Sequence, residues 1–515
     1  MDSIELEILW SNLQSIVTEQ AKALQRTAFS PIVREAGDLA TGIFDARARV
    51  VAQTTAGTPG HINSLAEAGR IMAAQYKGQL QPGDVLVTND PWIGAGHFFD
   101  ITVFAPAFMD GKIIGYVGAT CHHTDIGGYG LGAGARDVHE EGLWIPPSKL
   151  YERGKPNALL HSIIKHNVRT PDFVFGDLAA QVSSCRSGGE ALLNICRSHN
   201  LSDIEDVADE IIMRSENATR EAIRKLPAGT SHGESRFDTP GGEIVTLKAS
   251  VTVDPVAGEI VVDFAGSSGQ SKTGINVVMN YTHAYAAFAV RICLNPEVPN
   301  NHGSLTPIKV IAPKGSIVNC EYPAPVNARH VVGMYVPMPI LKALYQITPD
   351  RVIAEGSGSV WTVQIQGKRD DGNAFTSSVF NYSGGMGARA TKAGLGATCF
   401  PAGVSAVPVE ILEAAMPIVF ERKELRKNSG GVGAQRGGDG QVIAFRMNTT
   451  HQWVLNASPV GLQQGPEGLA GGGPGMPGRC TINGKPFSDS RKLTMNPGDY
   501  IVLETPGGGG YGAPR

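Results

Sequence analysis

The sequence has no run of roughly five or more basic residues, and its net charge is −4, so it offers no electrostatic footprint for nucleic acid or an anionic membrane surface. Nor does any apolar run approach the roughly eighteen residues of a membrane span. The opening MDSIELEILW sets Asp2, Glu5 and Glu7 where a secretory signal is basic, which leads us to expect a cytoplasmic chain. The cysteines, Cys121, Cys185, Cys196, Cys293, Cys320, Cys399 and Cys480, are scattered, odd in number and free of any Cys-x-x-Cys pair. They read as reduced, mostly buried thiols, not as a disulfide frame or a thiolate zinc site. A phosphate loop is missing too. GSSGQSKTG (266–274) puts Ser271 where a P-loop needs glycine before Lys272, and it follows a hairpin strand. GGVGAQRGGDG (430–440) has dinucleotide-like glycine spacing, yet the strand-like QVIAFRM follows it where a helix is required. GSGSV (356–360) lacks the closing glycine of a serine nucleophile elbow.

What the sequence has in quantity is glycine, 64 of 515 residues, which predicts many tight turns. The length points to about three domains. Leu6, Leu9, Leu13, Ile16, Val17 and Leu24 recur at helical spacing until Pro31 stops them, and predict an amphipathic helix. Residues 42–53 read as two short strands around a turn, and 84–91 as a strand ending in one. Ser202 with Glu205 has the pattern of a capping box opening a helix that Pro227 and Gly229 end. Residues 246–266 then alternate, predicting a hairpin turned between Asp254 and Gly258. A helical patch, MPILKALYQI, lies among strands and glycine-rich stretches that read as turns and loops. We therefore expect an α+β, multi-domain protein: an N-terminal domain (1–230) with helices and a metal-site hairpin, a mixed β-rich domain (231–415) and a glycine-rich β domain (416–515).

Chemistry concentrates in two stretches, NDPWIGAGHFFDITV (89–103) and ATCHHTDIGG (119–128). They are joined by strand, Asp110-Gly111 turn and strand, so opposed residues sum to about 221 in number. Asp100 then lies across from about Cys121 and His97 from about Thr124, which brings His122 and His123 beside Asp100. Singly, each histidine reads as a loop or core residue; clustered with a carboxylate, they suit Mn, Fe or Zn with positions open to water or substrate. Water on such an ion becomes a nucleophile at neutral pH. The pair Glu140 and Glu141 can act as acid or base, though a solvated surface pair is the default.

The motifs REAGDLATGIFD, PGHINS, NDPWIGAGHFFDITVFAP, CHHTDIGG, EEGLWIPPSKL, APVNAR and TPGGGGYG, in this order from about Leu6 to Tyr511, resemble the hydantoinase B/oxoprolinase family. The resemblance implies the β-type subunit of a hetero-oligomeric, ATP-dependent cyclic-amide hydrolase. A HyuA-like α-type subunit would bind ATP and Mg and phosphorylate the carbonyl of a hydantoin, 5-oxoproline or lactam. The β-type chain would hold a divalent metal (Mn, Zn or Fe) through Asp38, His97, Asp100 and His122, from which water attacks the activated carbon. His97, Asp100 and His122 also follow from the hairpin; Asp38 rests on the resemblance alone. His123 or Asp125 would take the proton or orient a ligand. Many relatives read GGTHLPD and AHHAD where this chain has GAGHFFD and CHHTD, which puts Phe98, Phe99 and Cys121 in the expected lining and suits an aryl-bearing substrate. Three alternatives stay open: an acetone/acetophenone-type ketone carboxylase using bicarbonate, a non-haem iron oxygenase, and a non-catalytic assembly subunit.

Overall fold

The computed structural model describes residues 3–55, 57–358, 360–488 and 491–514. Its first helix, Ser3–Thr27, buries Leu6, Leu9, Leu13, Val17 and Leu24, the stripe its period predicts. A seven-stranded sheet follows: β1 (Leu39–Phe44), β2 (Val50–Gln53), β3 (Val85–Thr88), β4 (Asp100–Met109), β5 (Lys112–His122), β6 (Ser148–Glu152) and β7 (Lys155–Pro156), in the order β2-β1-β5-β4-β3-β6-β7. Two helices beyond the sequence reading cover its faces. Pro171–Ser198 packs on the face of Val117, Ala119 and Cys121, while Pro59–Gln75 packs on the opposite face, that of Phe104 and Gly118. Both begin at proline and are interrupted by glycine, features that locally suggest turns. The glycine has a packing reason: a Cβ on Gly69 would lie 2.6 Å from the Phe104 ring.

The β4–β5 hairpin forms on the expected turn, with Asp110 at φ 49° and Gly111 at φ 80°. Its register differs by one residue. A bulge makes Ala107 and Phe108 pair with Gly115 and Ile113, leaving Ile114 as the extra residue on β5, so Asp100 opposes His122 and not Cys121. Since a one-residue slip exchanges faces, this bulge puts His122 on the face of Asp100 and turns Cys121 and His123 to the other.

The expected capping box does not form. The helix Glu205–Arg224 starts after Asp203, whose carboxylate accepts from Glu205 N at 3.0 Å, while the Glu205 carboxylate accepts from Ala46 N at 2.7 Å. The 246–266 hairpin pairs as expected within a four-stranded sheet of Gly229–Asp238, Ile244–Asp254, Glu259–Asp263 and Ile308–Ile311, on which the helix Pro337–Tyr345 packs. A helix the sequence reading did not mark, Met279–Leu294, lies beside Pro59–Gln75. The remainder forms a four-stranded and a five-stranded sheet, and one buried cluster runs from Ala21 to Tyr511. The glycine-rich stretches form loops and turns, an exposed one at Ala470-Gly471 among them, but part of them is buried: Gly385, Gly438 and Gly508 sit in a backbone-to-backbone stack in which Gly508 N donates to Gly438 O and Gly438 N to Met386 O, both at 2.9 Å. Ser359, in GSGSV, lies outside the described residues. Among those described, no helix is long and apolar enough to cross a membrane.

Candidate metal centre

The site is built around Asp100, the first residue of β4, whose side chain is 0% exposed. His97 reaches it from the preceding loop, with Nε2 2.8 Å from Oδ1, and His122 from the end of β5, with Nδ1 3.0 Å from the same oxygen. That loop is held by Asn89, which accepts from Ile145 N at 2.6 Å and donates to the carbonyls of Phe98 and Leu143 at 2.9 Å. The second oxygen, Oδ2, takes His61 Nε2 at 2.8 Å and the guanidinium of Arg329. His61 stands in the first turn of Pro59–Gln75, and its Nδ1 lies 3.3 Å from Asp38 Oδ1. Arg329 also donates to Ala95 O and lies 4.2 Å over the Tyr281 ring. Gly96, at φ 90°, lets it pass, since a Cβ there would be 2.8 Å from Arg329 Cδ.

Asp38, His61, His97, His122 and Arg329 line a cavity of ≈ 40 Å³, room for water or an ion. Its wall continues with Thr58, Leu131, Tyr281, His330, Met334, Val360, Thr362, Ala402 and Val404. Burial raises the Asp100 carboxyl, but His61, His97 and Arg329 outweigh it and hold it well below the carboxylate range. Burial and the Arg329 charge push His97 down to about 3. For His61 burial is outweighed by Asp100 and Asp38, which hold it above its ordinary value. His330, whose Nε2 lies 3.2 Å from Thr362 Oγ1, is held neutral by burial and by the positive field of Arg329.

The donor set fits a cation. His97 Nδ1 lies 2.8 Å from Asn327 O, which can only accept, so Nδ1 carries the proton and Nε2 presents its lone pair. That lone pair sits beside an anionic oxygen, buried and with no hydrogen bond of its own. Two electron-pair donors at such a distance, out of water, call for a positive ion. His97, Asp100 and His122 each offer a ligand atom within 4.8 Å of one another. Asp38 lines the same cavity but faces His61, and stands outside that close trio.

His123 and Asp125 fall outside the cavity. His123 Nε2 pairs with Gln181 Oε1 at 3.0 Å on the face of β5 that packs on Pro171–Ser198. Asp125 accepts from Gly127 N at 3.1 Å and from the Arg169 guanidinium at 2.8 Å, fixing the entry to that helix. We expect His123→Ala to lower stability by about 1–3 kcal/mol, the cost of an orphaned buried partner, with metal content unchanged; denaturant titration and metal analysis check both. Phe98, Phe99 and Cys121 do not line the cavity either: Phe99 stacks on His122 at 5.3 Å, Phe98 packs on Trp144, and Cys121 Sγ faces His123. Conversely, His61, Arg329, His330, Tyr281 and Thr362 have no place in the sequence reading of the site. His61 and Arg329 do sit inside two motifs of the family resemblance, PGHINS and APVNAR.

A family model described as hydantoinase B/oxoprolinase matches residues 2–514. The chain belongs to the hydantoinase B/oxoprolinase family. This family member is 32% identical to an uncharacterized protein of Methanocaldococcus jannaschii over 100% of this chain and 91% of that one. Its fold superposes with a TM-score of 0.90 on the ATP-dependent caprolactamase of Pseudomonas jessenii, at 25% identity over 100% of this chain and 91% of the other. A nucleotide-free acetone carboxylase also superposes with a TM-score of 0.90, at 19% identity over 99% of this chain and 76% of that one, a likeness of fold. The mixed helix-and-sheet, multi-domain architecture expected from the sequence is the one these structures share.

Proposed function

We propose that this hydantoinase B/oxoprolinase family member is the metal-holding subunit of an ATP-dependent cyclic-amide hydrolase, opening a hydantoin, 5-oxoproline or lactam ring. The carbonyl is phosphorylated by an α-type partner, which fits a chain without a phosphate loop and turns a poor leaving group into a good one. The observation that carries the reading is the convergence of His97 and His122 on one buried carboxylate oxygen of Asp100. Held by His97, Asp100 and His122, with Asp38 at the cavity edge, a divalent ion would supply Lewis acidity and water of lowered pKa. The chain's own side chains orient the ligands and the substrate. His61 and Arg329 fix Oδ2 of Asp100 and so aim Oδ1 at the imidazoles. His330, neutral and 3.2 Å from Thr362 Oγ1, stands on the wall as a hydrogen-bonding group that would orient the substrate. ATP dependence is in keeping with a cytoplasmic complex.

The test is to co-purify the chain with its α-type partner and assay ATP-dependent turnover of hydantoins, 5-oxoproline, caprolactam and aryl ketones, with and without bicarbonate. Wild type is expected to open a ring without bicarbonate, and His97→Ala to lose both metal and turnover, by about 10²-fold or more in rate. Strict bicarbonate dependence would instead make this a ketone carboxylase subunit, and full activity of His97→Ala would move the chemistry out of the chain.

A further inference from the structure

Glu141 departs furthest from its sequence expectation. Glu140 does lie in a surface pair with Arg136, but the neighbouring Glu141 is 0% exposed. Its Oε1 accepts from the backbone N–H groups of Val326 and Asn327, both at 2.7 Å, and its Oε2 is buried with no hydrogen-bond partner. Burial pushes the carboxyl well above its ordinary range against the pull of those two N–H groups. A buried acid so costly to place has a job that an apolar side chain cannot do. The segment it grips feeds the metal centre twice. Asn327, whose N–H it binds, gives its carbonyl to His97 Nδ1 at 2.8 Å, and two residues on, Arg329 reaches Asp100 Oδ2. Gly274 closes the arrangement: Ala328 N donates to its carbonyl at 2.6 Å, and a Cβ on it would stand 3.2 Å from Glu141 Oε1.

We propose that Glu141 is a positioning residue for the metal centre: by fixing the backbone of residues 326–329 it sets the tautomer and aim of His97 and the reach of Arg329 to Asp100. The inference rests on the reading of His97, Asp100 and His122 as ligands. Glu141 itself touches neither ion nor substrate. It acts through a carbonyl, as the outer partners of ligating histidines do, and their loss weakens metal binding by about 10–100-fold. Glutamine keeps an acceptor at the same reach, whereas alanine removes it and aspartate falls one methylene short.

The experiment titrates metal-free protein with Co²⁺, following the visible bands and measuring affinity by chelator competition, with thermal unfolding of each variant alongside. Glu141→Gln should bind Co²⁺ with the wild-type spectrum and close to wild-type affinity. Glu141→Ala should remain folded, bind about 10–100-fold more weakly and show altered bands. Should the alanine variant not fold, Glu141→Asp carries the same expectation. Wild-type affinity and bands in a folded Glu141→Ala or Glu141→Asp would overturn the proposal, as would a Glu141→Gln as impaired as alanine. His97→Ala in the same titration separates the two readings. If it binds Co²⁺ like wild type, the metal assignment itself fails; if it alone loses the ion, only the role of Glu141 does.

Discussion

Replacing Asp100 by asparagine is expected to empty the site of metal and to destabilise the fold at once. The substitution keeps the size of the side chain and removes its charge, so its effect is electrostatic. In the native chain one fully buried carboxylate answers His61, His97, His122 and Arg329. Removing one member of a buried ion pair leaves the other uncompensated, at a cost of about 3–5 kcal/mol. The stranded charge here is Arg329, whose remaining contacts are the Tyr281 ring and Ala95 O. Denaturant unfolding and metal analysis read the two losses separately. Adding Arg329→Met to Asp100→Asn should return part of the stability, because the orphaned cation goes, and none of the metal. Stoichiometric metal in Asp100→Asn would remove Asp100 from the centre.

How far the sequence discloses this centre depends on the range of each contact. The approach of Asp100 to His122 is local, set by a two-residue turn that Asp110-Gly111 announces, so counting along two strands nearly finds it. The count misses by one because a bulge has no strong signature in the residues around Ile114. That single residue decides which of Cys121, His122 and His123 face the site, and with it the placement of His123 on the helix side. His61 and Arg329 stand 39 and 229 residues from Asp100 (100 − 61 and 329 − 100) and meet it only when separate elements pack, beyond the reach of local spacing. Glu141 was legible as a carboxylate but not as a buried one, since burial is set by the 326–329 segment that folds onto it. The helix Ser3–Thr27 is plain from its period and Glu205–Arg224 from its start and stop signals, while Pro171–Ser198, glycine-broken and packed on a sheet, is not.

Gly438→Ala should prevent the C-terminal half from assembling. A Cβ there would lie 1.9 Å from Leu395 O, 2.5 Å from Leu395 C and 3.0 Å from Met386 N, all backbone atoms that cannot swing aside as a flexible side chain would. The neighbours are bound to one another: Met386 N donates to Leu395 O, Gly438 N to Met386 O and Gly508 N to Gly438 O, each at 2.9 Å. Relief of the clash therefore breaks several buried hydrogen bonds, and the cost exceeds the roughly 1–3 kcal/mol of ordinary overpacking. Gly269→Ala is the matched control, because a Cβ there meets nothing within 4 Å. It should melt like wild type, whereas Gly438→Ala should yield little soluble protein or a strongly lowered melting temperature. Equal melting of the two would show that the glycine stack tolerates a methyl group and is not a close-packed core. The consequence reaches the metal centre, since Gly509 N donates to Glu355 O at 2.8 Å and Ala354 N to Ala388 O at 2.9 Å. Those bonds moor the chain just before Val360 and Thr362, which form the cavity wall facing His330. A partly folded Gly438→Ala should accordingly lose the Thr362 contact of His330 and turnover before it loses the ligand trio, seen as metal retained by a poorly active chain.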